Sequence, residues 1–368
     1  MRDQMAVIDR FSTVARHATR TIAWGASMGG LVSAGLVQKY PSRFSGALTL
    51  CGLLGGSVGG FNEWLDQTFA LNTLLASGQL RVVNILDVHK DIAVSAIALK
   101  KAQASPQGRA RIELVAALGD LPGWNNIADP NPPQPGRLNY LARERYNYST
   151  LQALSALVFF AVRQSFEAQA GGNFSWNVDV DYRTQLKRSV DYDDVKALYA
   201  RAGLSIDADL DRLNNAPRIA ADPAALAYAE RYVTYNGEIT VPVLVLQTTG
   251  DDVVVNQHAQ AYSSVVRGAR NSNLLRELFV HRSGHISFSA AEVIAGLEAL
   301  VRRLDRGEWS RISPEDLNYA ALQLGPKYNA RQIPDGGNAP LGSGPSASPA
   351  FMRYDPAIFL RPFAFSGS

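Results

Sequence analysis

Six residues, Gly25-Ala26-Ser27-Met28-Gly29-Gly30, constrain this chain more than any other stretch. They read Gly-x-Ser-x-Gly between a short apolar run, residues 21–24, and a helix-like stretch, residues 31–39. Strand, Gly-x-Ser-x-Gly, helix is the context that turns a weak pattern into a nucleophile elbow. A strand turning sharply into a helix strains the serine backbone, and side chains at Gly25 and Gly29 are expected to clash across the turn. The gain is a hydroxyl standing clear at a helix N-terminus, where positive partial charge favours a developing oxyanion. The plainer reading is a glycine-rich loop that only packs closely; the flanking strand and helix weigh against it.

A serine nucleophile needs a base, and the base needs an acid to orient it. The chain has five histidines, so the search is short: His17, His89, His258, His281 and His285. A buried-strand signal at residues 241–246 runs into Gly250-Asp251-Asp252-Val253-Val254. An acid just past such a run is where an open α/β sheet places functional groups. After a helix near residues 257–266, a further apolar stretch, residues 274–280, ends in His281-Arg282-Ser283-Gly284-His285. A histidine after a glycine at a strand end fits a catalytic loop. The order is then Ser27, Asp251, His285, with Asp252 the alternative acid and His281 the alternative base. His281 reads as a strand residue that packs or faces water, and His258 as a helix-surface residue. His17 and His89 have no catalytic context.

Residues 21–44, 241–255 and 275–288 resemble the α/β-hydrolase superfamily, in particular its esterase and prolyl-oligopeptidase-like branches. The resemblance rests on the elbow with Met28-Gly29-Gly30, the following Tyr40-Pro41, and the strand followed by Thr-Gly-Asp and Val-Val. It covers about a third of the chain. It implies Ser27 as nucleophile, Asp251 as acid, His285 as base, and the backbone N–H of Met28 as one oxyanion donor. It does not supply a substrate.

The chain also departs from that family. Residues from Asp3 onward, an expected N-cap, form a helix-like pattern through Met5, Ile8, Phe11 and Val14. In the family, four strands, a helix and the second oxyanion loop precede the nucleophile strand. The expectation is a fragment, a displaced start, or a sheet completed by something else. Residues 21–24 then present an unpaired sheet edge open to self-association, and the lost donor lowers turnover by about 10²–10³.

Composition fits a globular enzyme rather than a disordered segment: 46% hydrophobic and 19% charged over 368 residues. A net charge of +3 with interspersed signs gives no argument for nucleic acid. No apolar run reaches the ~18–20 residues that span a bilayer. No signal peptide is read at Met1, and localisation stays unknown. The single cysteine, Cys51, ends a buried strand at residues 46–50, excludes an internal disulfide, and reads as a small buried hydrophobe.

Nearly 190 residues separate that strand from the one starting at Val241, far more than the dozen or so a crossover needs. The excess is expected to form a helical cap, entered through a flexible glycine-rich hinge at residues 52–60. Helices are expected at residues 61–75, 92–104, 110–118, 151–168, 192–202 and 223–232, with a proline-rich break at residues 130–136. The expected division is 1–58 and 239–305 for an α/β core with a mostly parallel sheet, 59–238 for the cap, and 306–368 for an extension. In that extension, residues 334–349 read as an extended loop and 351–365 as an aromatic strap. Asp207, Asp209 and Asp211 resemble the start of a calcium loop, but Arg212 and Arg218 stand where glycine and glutamate are needed, so a helix start is expected instead. Asn147 and Asn173 lie in glycosylation-type tripeptides. The reaction expected is carboxylic-ester hydrolysis through an acyl-serine, with no cofactor or metal. A peptide-like substrate is the alternative, and the pH dependence should follow His285 near ~6.5.

Overall fold

Each apolar run that ends in a turn-forming residue becomes a strand, and the helix after it carries the chain back so that the next strand runs parallel. The computed structural model describes residues 1–15, 18–125, 132–331 and 344–363. Among them the sheet has the strands β1 Ile22–Ala26, β2 Gly46–Leu50, β3 Val243–Gly250, β4 Leu275–Ser283 and β5 Phe351–Met352, in spatial order β1-β2-β3-β4-β5. The first four are parallel, in register from Ile22↔Gly46, Ala47↔Val243 and Val243↔Leu275. β5 closes the β4 edge antiparallel, with Val280 opposite Phe351. Among the described residues β1 pairs with β2 alone, and Trp24 on it is 59% exposed.

Helices α1 Arg2–Val14 and α2 Met28–Lys39 flank β1. Between β2 and β3 come α3 Gly56–Leu74, α4 Val88–Gln103, α5 Pro106–Ala117, α6 Tyr140–Leu157, α7 Arg163–Ala170, α8 Tyr182–Arg188, α9 Tyr192–Ala202, α10 Ile206–Asn215 and α11 Pro223–Val233. Side chains of Asp87, Ser105, Asn139, Asp181, Ser205 and Asp222 accept first-turn N–H groups and so start α4, α5, α6, α8, α10 and α11. Then follow α12 Gln257–Gly268, α13 Ala290–Arg306 and α14 Pro314–Gln323. Alternation splits the strands between two cores. Val243 and Val245 face the larger core with α2 and the helices of residues 56–233. Leu244 and Leu246 face the smaller one with Ala291, Ala295 and Leu300 of α13. No helix among the described residues is long and apolar enough to cross a membrane.

Several expectations change. Residues 52–60 are not a flexible hinge: Gly56–Gly60 open α3 and are buried. Their smallness serves packing, since a Cβ on Gly60 would lie 2.8 Å from Leu53 Cδ1 and one on Gly55 would lie 2.8 Å from His258 Nδ1. His258 is not on a helix surface but is 0% exposed. The expected helix at residues 151–168 is the later part of a longer helical run, α6 and α7 joined by the π-helical turn Val158–Val162. Asp3 is not the cap but lies in the first turn of α1, two residues after the N-cap Met1. The acidic run at residues 207–211 starts α10, capped by Ser205. Asn147 and Asn173 are buried, which argues against glycosylation. The strap crosses onto α12 and α3, where Phe359 packs at a tilt against His258 and Arg361 pairs with Asp66 at 2.6 Å; its described residues form no strand against β1. His17, residues 130–131 of the proline-rich break, residues 334–343 and Phe365 lie outside the described residues.

Candidate active site

All of the sequence-derived site residues stand at the C-terminal ends of the parallel strands. Ser27 follows β1 and is the N-cap of α2 at φ 55°, ψ −120°, a strained conformation for a residue with a side chain. Its N–H donates to Leu50 O at 2.9 Å, and its carbonyl accepts from Gly30 and Leu31. Its hydroxyl makes no capping hydrogen bond, so it is not spent on the helix. Met28 and Gly29 are the first two residues of α2, and their N–H groups have no partner within the helix.

The glycines of this turn divide differently from the expected pattern. A Cβ on Gly25 would sit 2.4 Å from the Gly29 carbonyl carbon, so Gly25 is obligatory. One on Gly29 would meet nothing within 4 Å; the expected clash there does not exist. Gly30 is the second tight position, since its Cβ would lie 2.7 Å from Gly52 Cα beyond β2.

Asp251 follows β3 and is fully buried. Oδ1 accepts from the N–H groups of Val253 and Val254 at 3.0 and 2.9 Å, and Oδ2 from Gln247 Nε2 at 3.1 Å. Both oxygens lie 2.9 Å from His285 Nδ1. That contact puts the proton on Nδ1 and leaves Nε2 as the basic nitrogen. Nε2 is buried and makes no hydrogen bond, so the Ser27 hydroxyl and the imidazole are not yet engaged, as is common without substrate. Burial pushes the imidazole down; the charge and hydrogen bond of Asp251, with the charge of Asp252, together push it up, and the net position is above the usual histidine value.

The turn that presents His285 is itself constrained. Gly284 has φ 84° and Ile286, a β-branched residue, φ 57°. Gly284 N–H donates to Gly250 O at 2.7 Å, and Thr248 Oγ1 donates to Gly284 O at 2.9 Å, pinning the turn to β3. Arg282 donates to Ser287 O at 2.9 Å and pairs with buried Glu292 of α13, bracing the far side. Gln247, Thr248 and Arg282 carry no local sequence signal beyond strand positions three or four residues before Asp251 or His285, whereas Glu292 closes a capping box opened by Ser289 at the start of α13.

The other candidates resolve plainly. Asp252 does not meet His285 Nδ1; it accepts from Asn125 and Thr150. His281 lies on β4, exposed, its ring tilted against Trp124 with centroids 4.8 Å apart. His89 is exposed on α4. Cys51 Sγ lies 3.6 Å from Thr248 Oγ1, and burial, followed by nearby Asp251, pushes its thiol well up. Cys51, Asp251 and His285 lie close enough to share an ion, but Asp251 is committed to His285 and the thiol is held protonated. Glu113, Asp191 and Asp194 form a second close acidic group, and there Arg143 already supplies a cation to Asp191 and, at 2.7 Å, to Asp194.

A cavity of about 730 Å³ lies beside β1, between α1, α2, α7 and α11. Met28 and Gly29 are on its wall, together with Trp24, Phe166 and Tyr232, although Ser27 and His285 are not.

No protein-family model matches the chain. Over 342 residues it is 32% identical to the o-phthalyl amidase of Xanthobacter agilis, an alignment covering 86% of this chain and 74% of that protein. Among solved structures, feruloyl esterase B from Aspergillus oryzae aligns with a TM-score of 0.32 at 13% identity, over 78% of this chain and 60% of that one. Another esterase from Aspergillus oryzae aligns with a TM-score of 0.28 at 14% identity, over 78% and 59%. The chain thus spans about three fifths of those structures, and likeness at this level decides nothing about the site. The sequence relation is of a different order: the chain belongs to the family of the Xanthobacter agilis o-phthalyl amidase.

Proposed function

We propose that this chain is a serine hydrolase that cleaves a small carboxylic ester or amide through an acyl-serine intermediate, on a core of α/β-hydrolase type. One observation carries the reading. His285 Nδ1 is held by both oxygens of Asp251, Nε2 is left unspent, and the uncommitted Ser27 hydroxyl stands at the same end of the sheet. In this reading His285 Nε2 takes the Ser27 proton as Oγ bonds to the substrate carbonyl carbon. The carbonyl oxygen, now negative, accepts from the Met28 N–H. The imidazolium, steadied by Asp251, gives its proton to the leaving alkoxide or amine. Water then repeats the sequence on the acyl-serine. The core comprises residues 1–58 and 239–305, with 59–238 as a cap over the site and 306–368 as an extension.

The amidase relative supports the amide as a substrate beside the ester. The cavity next to Met28 favours an uncharged aryl or alkyl group: its described lining carries no Lys or Arg, and Asp3 is its one charged residue. The test is turnover of paired p-nitrophenyl esters and p-nitroanilides of neutral aryl acids by wild type, Ser27→Ala and His285→Gln. Hydrolysis should fall at least about 10³-fold in both variants. Turnover that survives in Ser27→Ala rejects the mechanism.

A further inference from the structure

Asp252 takes no part in the chemistry above, yet it is only 3% exposed and side chains from two separate segments meet its carboxylate. Oδ2 accepts from Asn125 Nδ2 and, at 3.3 Å, from Thr150 Oγ1 of α6. Asn125 directly follows Trp124, whose ring covers the end of β3: a Cβ on Gly250 would lie 2.6 Å from Trp124 Cε3. The same ring packs at a tilt against His281 of β4. Residues 124, 125 and 150, all from the long insertion, therefore converge on the strand ends that carry Asp251 and His285.

Asp252 lies inside the turn that Asp251 closes by accepting from Val253 and Val254. Whatever holds Asp252 holds that turn. A buried carboxylate stripped of its donors is strongly penalised, so the contact is tight in both directions.

We propose that Asp252 is a positioning residue that locks the cap to the acid turn, so that Thr150 and Asn125 keep Asp251 and His285 in working geometry. This rests on the acyl-serine reading. The charge of Asp252 also bears on the base. Burial and then Asp251 push its carboxyl up, while Asn125 pulls it down, and as an anion it supports the imidazolium of His285. The other groups near His285 are Asp251, Cys51 at the end of β2 and His258 on α12, while Arg331 lies beside the Gly284 turn. None of these is a cap residue, which makes the Thr150 contact separable.

The experiment compares wild type, Asp252→Asn, Thr150→Val, Thr150→Ser and the Asp252→Asn/Thr150→Val double variant. It measures kcat, KM and the pH dependence of kcat/KM on a p-nitrophenyl ester, after fluorophosphonate titration of competent Ser27. Removing the Asp252 charge, or a donor that keeps it charged, lowers the affinity of His285 for its proton. Both single variants should therefore move the rising limb of the profile to lower pH. Each should lower kcat about tenfold with KM within about twofold, and Thr150→Ser should restore both. The double variant should be no worse than the poorer single one, because one link is broken twice. A limb that stays at its wild-type pH in both single variants, or losses that multiply in the double variant, overturns the proposal. A wild type that takes no label at Ser27 overturns the acyl-serine reading, and the proposal with it.

Discussion

Asp251 reaches His285 with both carboxylate oxygens at 2.9 Å from Nδ1, a symmetric grip in which neither oxygen is favoured. Its own orientation is fixed by Gln247 and two backbone N–H groups. The consequence is a signed pH dependence. The base works only when neutral, and the folded protein holds the imidazole above the usual histidine value. The rising limb of kcat/KM should therefore lie above pH ~6.5, higher than the sequence alone suggested. Asp251→Asn should shift that limb downward and lower kcat by about 10⁴-fold. A limb at or below ~6.5 in wild type contradicts this account of the pair.

The turn at Ser27 makes a steric prediction with an internal control. Gly25→Ala sets a Cβ against the Gly29 backbone, which cannot move without breaking the start of α2. It should cost about 1–3 kcal/mol or more and show as a lowered Tm or insoluble protein. Gly29→Ala, with open space around its Cβ, should keep the Tm within a few degrees. Equal Tm values for the two variants would refute the described turn.

His258 predicts acid sensitivity. Its Nδ1 accepts from Gly55 N–H at 2.9 Å and its Nε2 faces Glu63 at 3.0 Å, so the buried ring is the neutral Nε2–H form. Burial pushes it down to about 3. The unfolded chain then binds a proton between pH ~6.5 and 3 that the folded protein refuses, so stability is present above ~6.5 and lost as pH falls. Glu63, pushed well up by burial and then by Asp66, acts with the opposite sign. The difference between wild type and His258→Gln isolates the histidine: Tm should fall more steeply on acidification in wild type. Parallel Tm–pH curves would remove His258 from the effect.

Local chemistry made some of this legible beforehand. Gly25 and Ser27 carry a turn in six adjacent residues, and Gly250-Asp251 and Gly284-His285 each follow an apolar run, so strand ends were readable without tertiary information. The four parallel strands and their order along the chain followed from the same runs. What stayed hidden depends on partners distant in sequence. Gly55 to Gly60 read as flexible by local rules, but Leu53, His258 and Phe359 crowd them into a buried helix start. His258 read as exposed because nothing local marks where α3 and the strap cover α12. Asn125 and Thr150 reach Asp252 across more than 100 residues. β5 was hidden because two residues of pairing leave no period to detect.

The central claim is that the Ser27 hydroxyl is a nucleophile activated by His285, and covalent capture tests it most directly. The protein is treated with an alkyl fluorophosphonate, digested, and the adduct located by peptide mass. The account predicts one adduct, on Ser27, absent in Ser27→Ala and formed at least about 10³-fold more slowly in His285→Gln. An adduct on another residue, or labelling of Ser27 at an unchanged rate without His285, would contradict it.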